Sequence, residues 1–161
     1  MNEFSLSGYE LSPLRKGDLN LYRGRGNGLP PILLLTAEGD SVGSIKRLEH
    51  EYALRTELNA AWAVRPIALS HQNGRLTLLC EDPGGDPLDR VIDGPLKISE
   101  FLHIAVPLAG AVRRMHERGL IHKDMKPANV LVDPANGGVW LTGFGIASRL
   151  LRERQTRSRL K

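Results

Sequence analysis

Short apolar runs separated by turn residues dominate the first half of this chain, and a helical period takes over in parts of the second. Residues 9–14 and 19–23 read as short strands, with residues 15–18 as the turn between them. Residues 24–31 hold Gly24, Gly26, Gly28 and the Pro30-Pro31 pair, and break structure before the apolar run Ile32-Leu33-Leu34-Leu35. From Ser44 to Leu58 the spacing of Ile45, Leu48, Tyr52 and Leu58, joined by Ala53 and Leu54, predicts a helix with Ser44 as its N-cap. Residues 63–69 and 75–80 predict two more strands around a turn at 71–74. Glu81-Asp82-Pro83-Gly84-Gly85-Asp86-Pro87 interrupts regular structure, and residues 88–92 form a short helix. The longest helix is expected over residues 99–118, capped by Ser99 and stopped by Gly119. Its apolar stripe would be Phe101, Leu102, Ala105, Leu108, Ala109, Val112 and Met115, with a local kink at Pro107. Two strands, 130–132 and 139–142, follow around a turn at 133–138. Strands first and helices later give an α+β class, and no internal repeat is visible.

Composition narrows the picture a little. The 161 residues suit one domain, with 41% hydrophobic and 25% charged residues. The net charge of +4 misleads, because residues 149–161 hold six of the basic residues and one acid; the remainder carries 16 basic against 17 acidic residues. A near-neutral body without aromatic interleaving argues against a nucleic-acid partner, and no apolar run is long enough for a membrane helix. Cys80 stands alone and cannot close an internal disulfide, and residues 1–8 do not read as a signal peptide. A cytoplasmic location is the expectation.

Chemistry enters at residues 119–145. His122-Lys123-Asp124-Met125-Lys126-Pro127-Ala128-Asn129 fits H-x-D-x-x-x-x-N, and Gly143-Phe144-Gly145 follows the second strand. In this order and spacing the chain resembles the protein-kinase superfamily, serine/threonine type: a catalytic loop, then a triplet in the place of D-F-G. The resemblance implies a two-lobe fold. Residues 1–80 would be a small lobe, an antiparallel sheet plus one helix, and 81–87 a hinge. Residues 88–148 would be part of a helical large lobe, and 149–161 a basic tail. It implies ATP and Mg²⁺ as cofactors. Asp124 would accept the substrate hydroxyl's proton, Lys126 would meet the phosphoryl group, and Asn129 would hold the metal. The hinge backbone around Glu81 and Pro83 would hold adenine. Glu51, with Glu49 second, would be the glutamate of the small-lobe helix.

Three departures bear on activity. Only Gly17 stands in the turn where the family has its Gly-rich loop, Leu35 takes the place of the strand lysine in V-A-I-K, and Gly143 replaces the aspartate of D-F-G. Without its lysine, Glu51 is expected to be solvated or paired with Lys46 or Arg55 on its own helix. Phe144 is expected to be buried against that helix. Restoring a carboxylate with Gly143→Asp should bring back metal dependence only if the surrounding fold is intact. Phosphoryl transfer is expected to be weak or absent. The alternatives are a regulatory module that binds protein signalling partners, or a truncated remnant, since the activation segment and later helices of a kinase have no counterpart here. Residues 120–150, with the run Thr142-Gly143-Phe144-Gly145-Ile146-Ala147-Ser148-Arg149-Leu150, further resemble the N-terminal kinase-like module of large bacterial signalling proteins that also carry an NTPase module, sensory modules and a histidine kinase, a match spanning residues 9 to about 155.

Overall fold

The computed structural model describes residues 4–39 and 41–150. Its first half is a five-stranded antiparallel sheet, ordered β1-β2-β3-β5-β4. The strands are β1 (Glu10–Arg15), β2 (Leu19–Arg25), β3 (Ile32–Ala37), β4 (Pro66–Gln72) and β5 (Arg75–Glu81). Asn73 and Gly74 turn β4 into β5, both at positive φ (50° and 77°), as a two-residue hairpin requires. The helix α1 (Val42–Ala53) packs on the sheet face that carries Leu21, Leu33, Leu35 and Leu78. The cap is Ser41, three residues before the expected Ser44: Ser44 donates its N–H to the Ser41 hydroxyl and lies inside the first turn. Leu54 and Leu58, expected on the helix, sit in the turns after it and drop into a second core.

That second core belongs to the lower part of the molecule. It is built around α3 (Ile98–Glu117) and a three-stranded sheet, ordered β6-β8-β9, of β6 (Asp86–Pro87), β8 (Val130–Asp133) and β9 (Gly138–Leu141). A one-turn helix, α2 (Leu88–Val91), follows β6. Glu100 caps α3 by accepting the N–H of Lys97, so the helix starts just before the expected Ser99, and it runs unbroken through Pro107. The expected stripe is rotated. Ala111 and Met115 are buried, and Ile104, Leu108 and Val112 pack beside them, while Phe101 and Leu102 are 54% and 48% exposed. The cause is that α3 packs chiefly on β9 and on β7 (Leu120–Ile121), which leaves Phe101 and Leu102 near its start about half exposed.

The two halves are fastened by main chain. Val64 donates its N–H to the Leu141 carbonyl and Leu141 donates to Trp62, laying residues 62–64 along β9. The Trp140 indole N–H reaches the Ala60 carbonyl. At the end of the described chain, β10 (Ser148–Arg149) pairs with β7, and Arg149 forms an ion pair with Glu57, so this part of the expected tail is held in place. The rest of the tail, 151–161, lies outside the described residues. Among the described residues no helix is long and apolar enough to cross a membrane.

Candidate functional site

The motif residues converge between β7 and β8. His122 is buried, donates from Nε2 to the Thr142 carbonyl and accepts the Asp124 N–H at Nδ1. Burial lowers its pKa, so the ring is neutral and acts as a strut. Lys123 pays for the resulting bend with a left-handed backbone, φ 69°. Asp124 accepts Lys126 Nζ at 3.2 Å and Asn129 Nδ2 at 3.0 Å on the same carboxylate oxygen, Oδ2. Pro127 opens a 3₁₀ turn through Asn129, which ends with the Asn129 N–H on the Lys126 carbonyl. Asp124, Lys126 and Asn129 therefore stand together as the spacing expects.

Gly143 and Phe144 are tied to α1. Their backbone N–H groups lie near enough to the Glu51 carboxylate to favour its charged form, and that side chain is fully buried. This corrects the expectation of a solvated glutamate or a pair with Lys46 or Arg55: Arg55 stacks over Tyr52 and donates to its carbonyl. Glu51 Oε2 is the one buried side-chain polar atom without a hydrogen-bond partner among the described residues. Burial pushes its pKa up to about 7, against the pull of the two N–H groups and of Arg15. Phe144 is buried, with its ring edge-on to Trp62 and tilted against His122, 4.8 Å between centroids. Leu54, just past α1, shares that core.

Gly143 has φ 79°, and a Cβ there would lie 2.7 Å from Asn129 Oδ1. The Asn129 side chain already fills the space that a carboxylate at 143 needs. Gly143→Asp is therefore expected to destabilise by about 1–2 kcal/mol from backbone strain alone. That lowers the melting temperature by a few degrees and gives no gain of metal binding; a melt at or above the wild-type value would refute this.

Arg15, read from the sequence as a turn residue, ends β1 and enters the site. A bulge at Leu14 (Pro13 pairs with Tyr22, Arg15 with Leu21) breaks the alternation of the strand. It lets Leu14 and Arg15 both turn inward, as bulges beside functional sites do. Arg15 Nη1 donates to Asn129 Oδ1 at 2.5 Å and to the Ala128 carbonyl at 3.1 Å. Burial lowers the guanidinium's pKa, opposed by Glu51, Asp124 and Asp89. Arg90 of α2 donates to the Pro13 and Leu14 carbonyls, pinning the bulge itself. Beneath this turn lies a cavity of 210 Å³ lined by Arg15, Glu51, Asp124, Lys126, Asn129 and Gly143, among others.

Several polar groups of the expected adenine-holding stretch are already engaged within the protein. Glu81 pairs with Arg65 across an exposed groove, and its N–H is bonded to the Arg65 carbonyl. Pro83 has no N–H. The Gly84 N–H is taken by Asp82 Oδ1 and the Gly85 carbonyl by Arg23 Nη2. Arg23 is buried and also grips Asp82 through Nε at 2.6 Å and Asp86 through Nη1 at 3.0 Å. A planar ring held by this backbone would have to lie between the sheet above, where Ile32 pairs with Glu81, and β8 below, where Leu131 pairs with Pro87. Leu14, Leu21, Leu33, Cys80 and Leu131 instead form one continuous core there, with Leu33 and Leu131 at 0% exposure. Leu33 occupies the alanine place of V-A-I-K.

The sequence profile of the protein kinase domain matches residues 35–160. The chain belongs to the protein kinase domain family. It is 31% identical over 144 residues to the probable serine/threonine-protein kinase PknB of Lactococcus lactis, covering 84% of this chain and 23% of that one. It is 30% identical over 108 residues to the serine/threonine-protein kinase STE11 of Saccharomyces cerevisiae, covering 66% and 15%. A probable serine/threonine-protein kinase of Corynebacterium efficiens is 43% identical over 58 residues, 36% of this chain and 9% of the relative. The chain thus spans less than a quarter of the length of these relatives.

Kinases use ATP and Mg²⁺. The residues here do not fit that pair: Asn129 Oδ1 is engaged by Arg15, position 143 has no carboxylate, and the slot under the sheet is filled. Sequence reasoning missed Arg15, Arg23, Arg90 and Leu33. Pro13 inside a strand was the available signal for the bulge, and Leu33 in an alanine position the signal for the filled slot.

Proposed function

We propose that this chain is a protein-kinase-family module of the serine/threonine type that works in signal transduction by binding a protein partner, without phosphoryl transfer. One observation carries the reading. Asn129 is the remaining metal-holding group of the motif, and both ends of its amide are engaged, Oδ1 by Arg15 and Nδ2 by Asp124. Electrostatic stabilisation of the transferring phosphoryl is the largest catalytic term in such sites, and the metal supplies most of it. In this reading residues 1–80 are the small lobe, 81–87 a hinge locked by Arg23, and 88–148 the attached part of the large lobe. The whole would be a cytoplasmic, kinase-like piece of a larger bacterial signalling protein with a histidine kinase.

The test is a melt with ATP, with and without Mg²⁺, beside a phosphoryl-transfer assay on a generic protein substrate. A ligand at a hundred times its Kd stabilises by about 2.7 kcal/mol, roughly 5–10 °C for a chain of this size. No shift and no transfer are expected. A shift of that size, with transfer lost in Asp124→Asn, would favour the second reading, a weak serine/threonine kinase. The observation behind that alternative is the intact Asp124, Lys126 and Asn129 constellation, with Asp124 as base, Lys126 on the phosphoryl group and Asn129 on the metal.

A further inference from the structure

We propose that Arg15 is the resident cation of the cleft: its guanidinium stands where a catalytic metal would be held and makes the site exclude divalent ions. This deepens the non-catalytic reading and rests on it. Side-chain Oδ1 is the only atom of the Asn129 amide able to ligate a metal, and Arg15 Nη1 holds it at 2.5 Å. Asp124, bonded to the other end of the same amide, faces Arg15 together with Glu51 and Asp89, so a monovalent side-chain cation already answers the acidic wall. Lys16, Arg47 and Lys126 line the same cavity and oppose any further positive charge. Among the described residues no group of three His, Cys, Asp or Glu side chains is placed to hold a metal. The position of Arg15 is built rather than adventitious. The bulge at Leu14 aims it, Arg90 holds the bulge carbonyls, and the absence of a Cβ at Gly143 leaves room for the Asn129 rotamer that it grips. An arginine stays protonated under any working condition, so the substitution is permanent.

The experiment uses Mn²⁺ alone as probe, followed by paramagnetic resonance and by melting, on the full chain. Asn129→Asp adds a second carboxylate beside Asp124. With Arg15 present the new aspartate should pair with it, so Asn129→Asp should take up no more Mn²⁺ than wild type. In Arg15→Met/Asn129→Asp the two carboxylates face each other without the guanidinium, with Lys126 left on Asp124 alone, and Mn²⁺ affinity should rise at least tenfold over Asn129→Asp, with Mn²⁺ restoring the melting temperature. Equal uptake by the two variants, or none by the double variant, overturns the assignment. If the double variant does not fold, Arg15→Met alone decides: its Mn²⁺ affinity must exceed that of wild type, and an unchanged affinity overturns the proposal. No nucleotide is present in these titrations. They can therefore fail while the non-catalytic reading stands, and phosphoryl transfer by the wild type would sink that reading without changing the metal result.

Discussion

Arg23→Ala is expected to cost about 3–5 kcal/mol, the range for breaking a buried ion pair by removing one partner. For a chain of this length that is a fall of roughly 6–20 °C in melting temperature. Asp82 carries the effect: its side chain is 3% exposed and accepts Nε and Nη2 of Arg23 as a bidentate pair. Without the guanidinium, the Gly84 N–H alone among the described residues remains on that carboxylate. Asp86 contributes little, because it is 57% exposed and water can replace its partner. Burial would lower the pKa of Arg23, yet the two carboxylates outweigh it and hold the group above its ordinary value, so the pair is charged in the folded state. Arg23→Met/Asp82→Leu should recover most of the loss, since apolar residues of similar volume often match or better a buried pair. A melt of Arg23→Ala within two degrees of wild type would show that Asp82 finds other partners and that the hinge is not locked from β2.

The parts of this molecule that local spacing controls were legible in the sequence. His122, Asp124, Lys126 and Asn129 lie within eight residues, and a strand on each side fixes their order in space. Phe144 between two glycines announced its burial. The cap of α1 was displaced because Ser41 and Ser44 give the same local signal, and only the bonded geometry chooses between them. The stripe of α3 was misread because periodicity reports that a helix has an apolar face, not which neighbours cover it; here Phe101 and Leu102 stay about half exposed. Arg15 and Arg23 were beyond reach for a different reason. Their partners lie 114 and 59 residues away, and nothing local marks an arginine on a strand as buried. Both were set by the register of β1 and β2, and the bulge that turns Arg15 inward is a one-residue slip that propensity does not encode.

Raising the pH from about 5 to 8 is expected to destabilise the folded chain through Glu51. Its folded pKa is about 7 against an ordinary 4.5. Between those values the folded state holds a proton that the unfolded state has lost, so stability falls as pH rises through this window and levels off above it. At about 1.4 kcal/mol per unit, the full effect is on the order of 3 kcal/mol. The physical source is burial and the unpartnered Oε2: once ionised, that oxygen carries charge in a buried place with no donor, and the nearby Gly143 and Phe144 N–H groups offset only part of the cost. His122 works in the opposite direction. Burial holds its folded pKa below 6.5, so its contribution is complete above 6.5 and is lost as pH falls below it. The two slopes overlap between roughly pH 5 and 6.5, where wild type alone is ambiguous; above 6.5 Glu51 acts without that opposition. Glu51→Gln separates them, because an amide keeps an acceptor for the two N–H groups and cannot ionise. Denaturant unfolding of both proteins at pH 5, 6, 7 and 8 should show the variant gaining on wild type by about 3 kcal/mol across the series. A constant difference over that range would mean that Arg15 swings onto Glu51 and keeps it charged, and the orphaned oxygen would then be paired in solution.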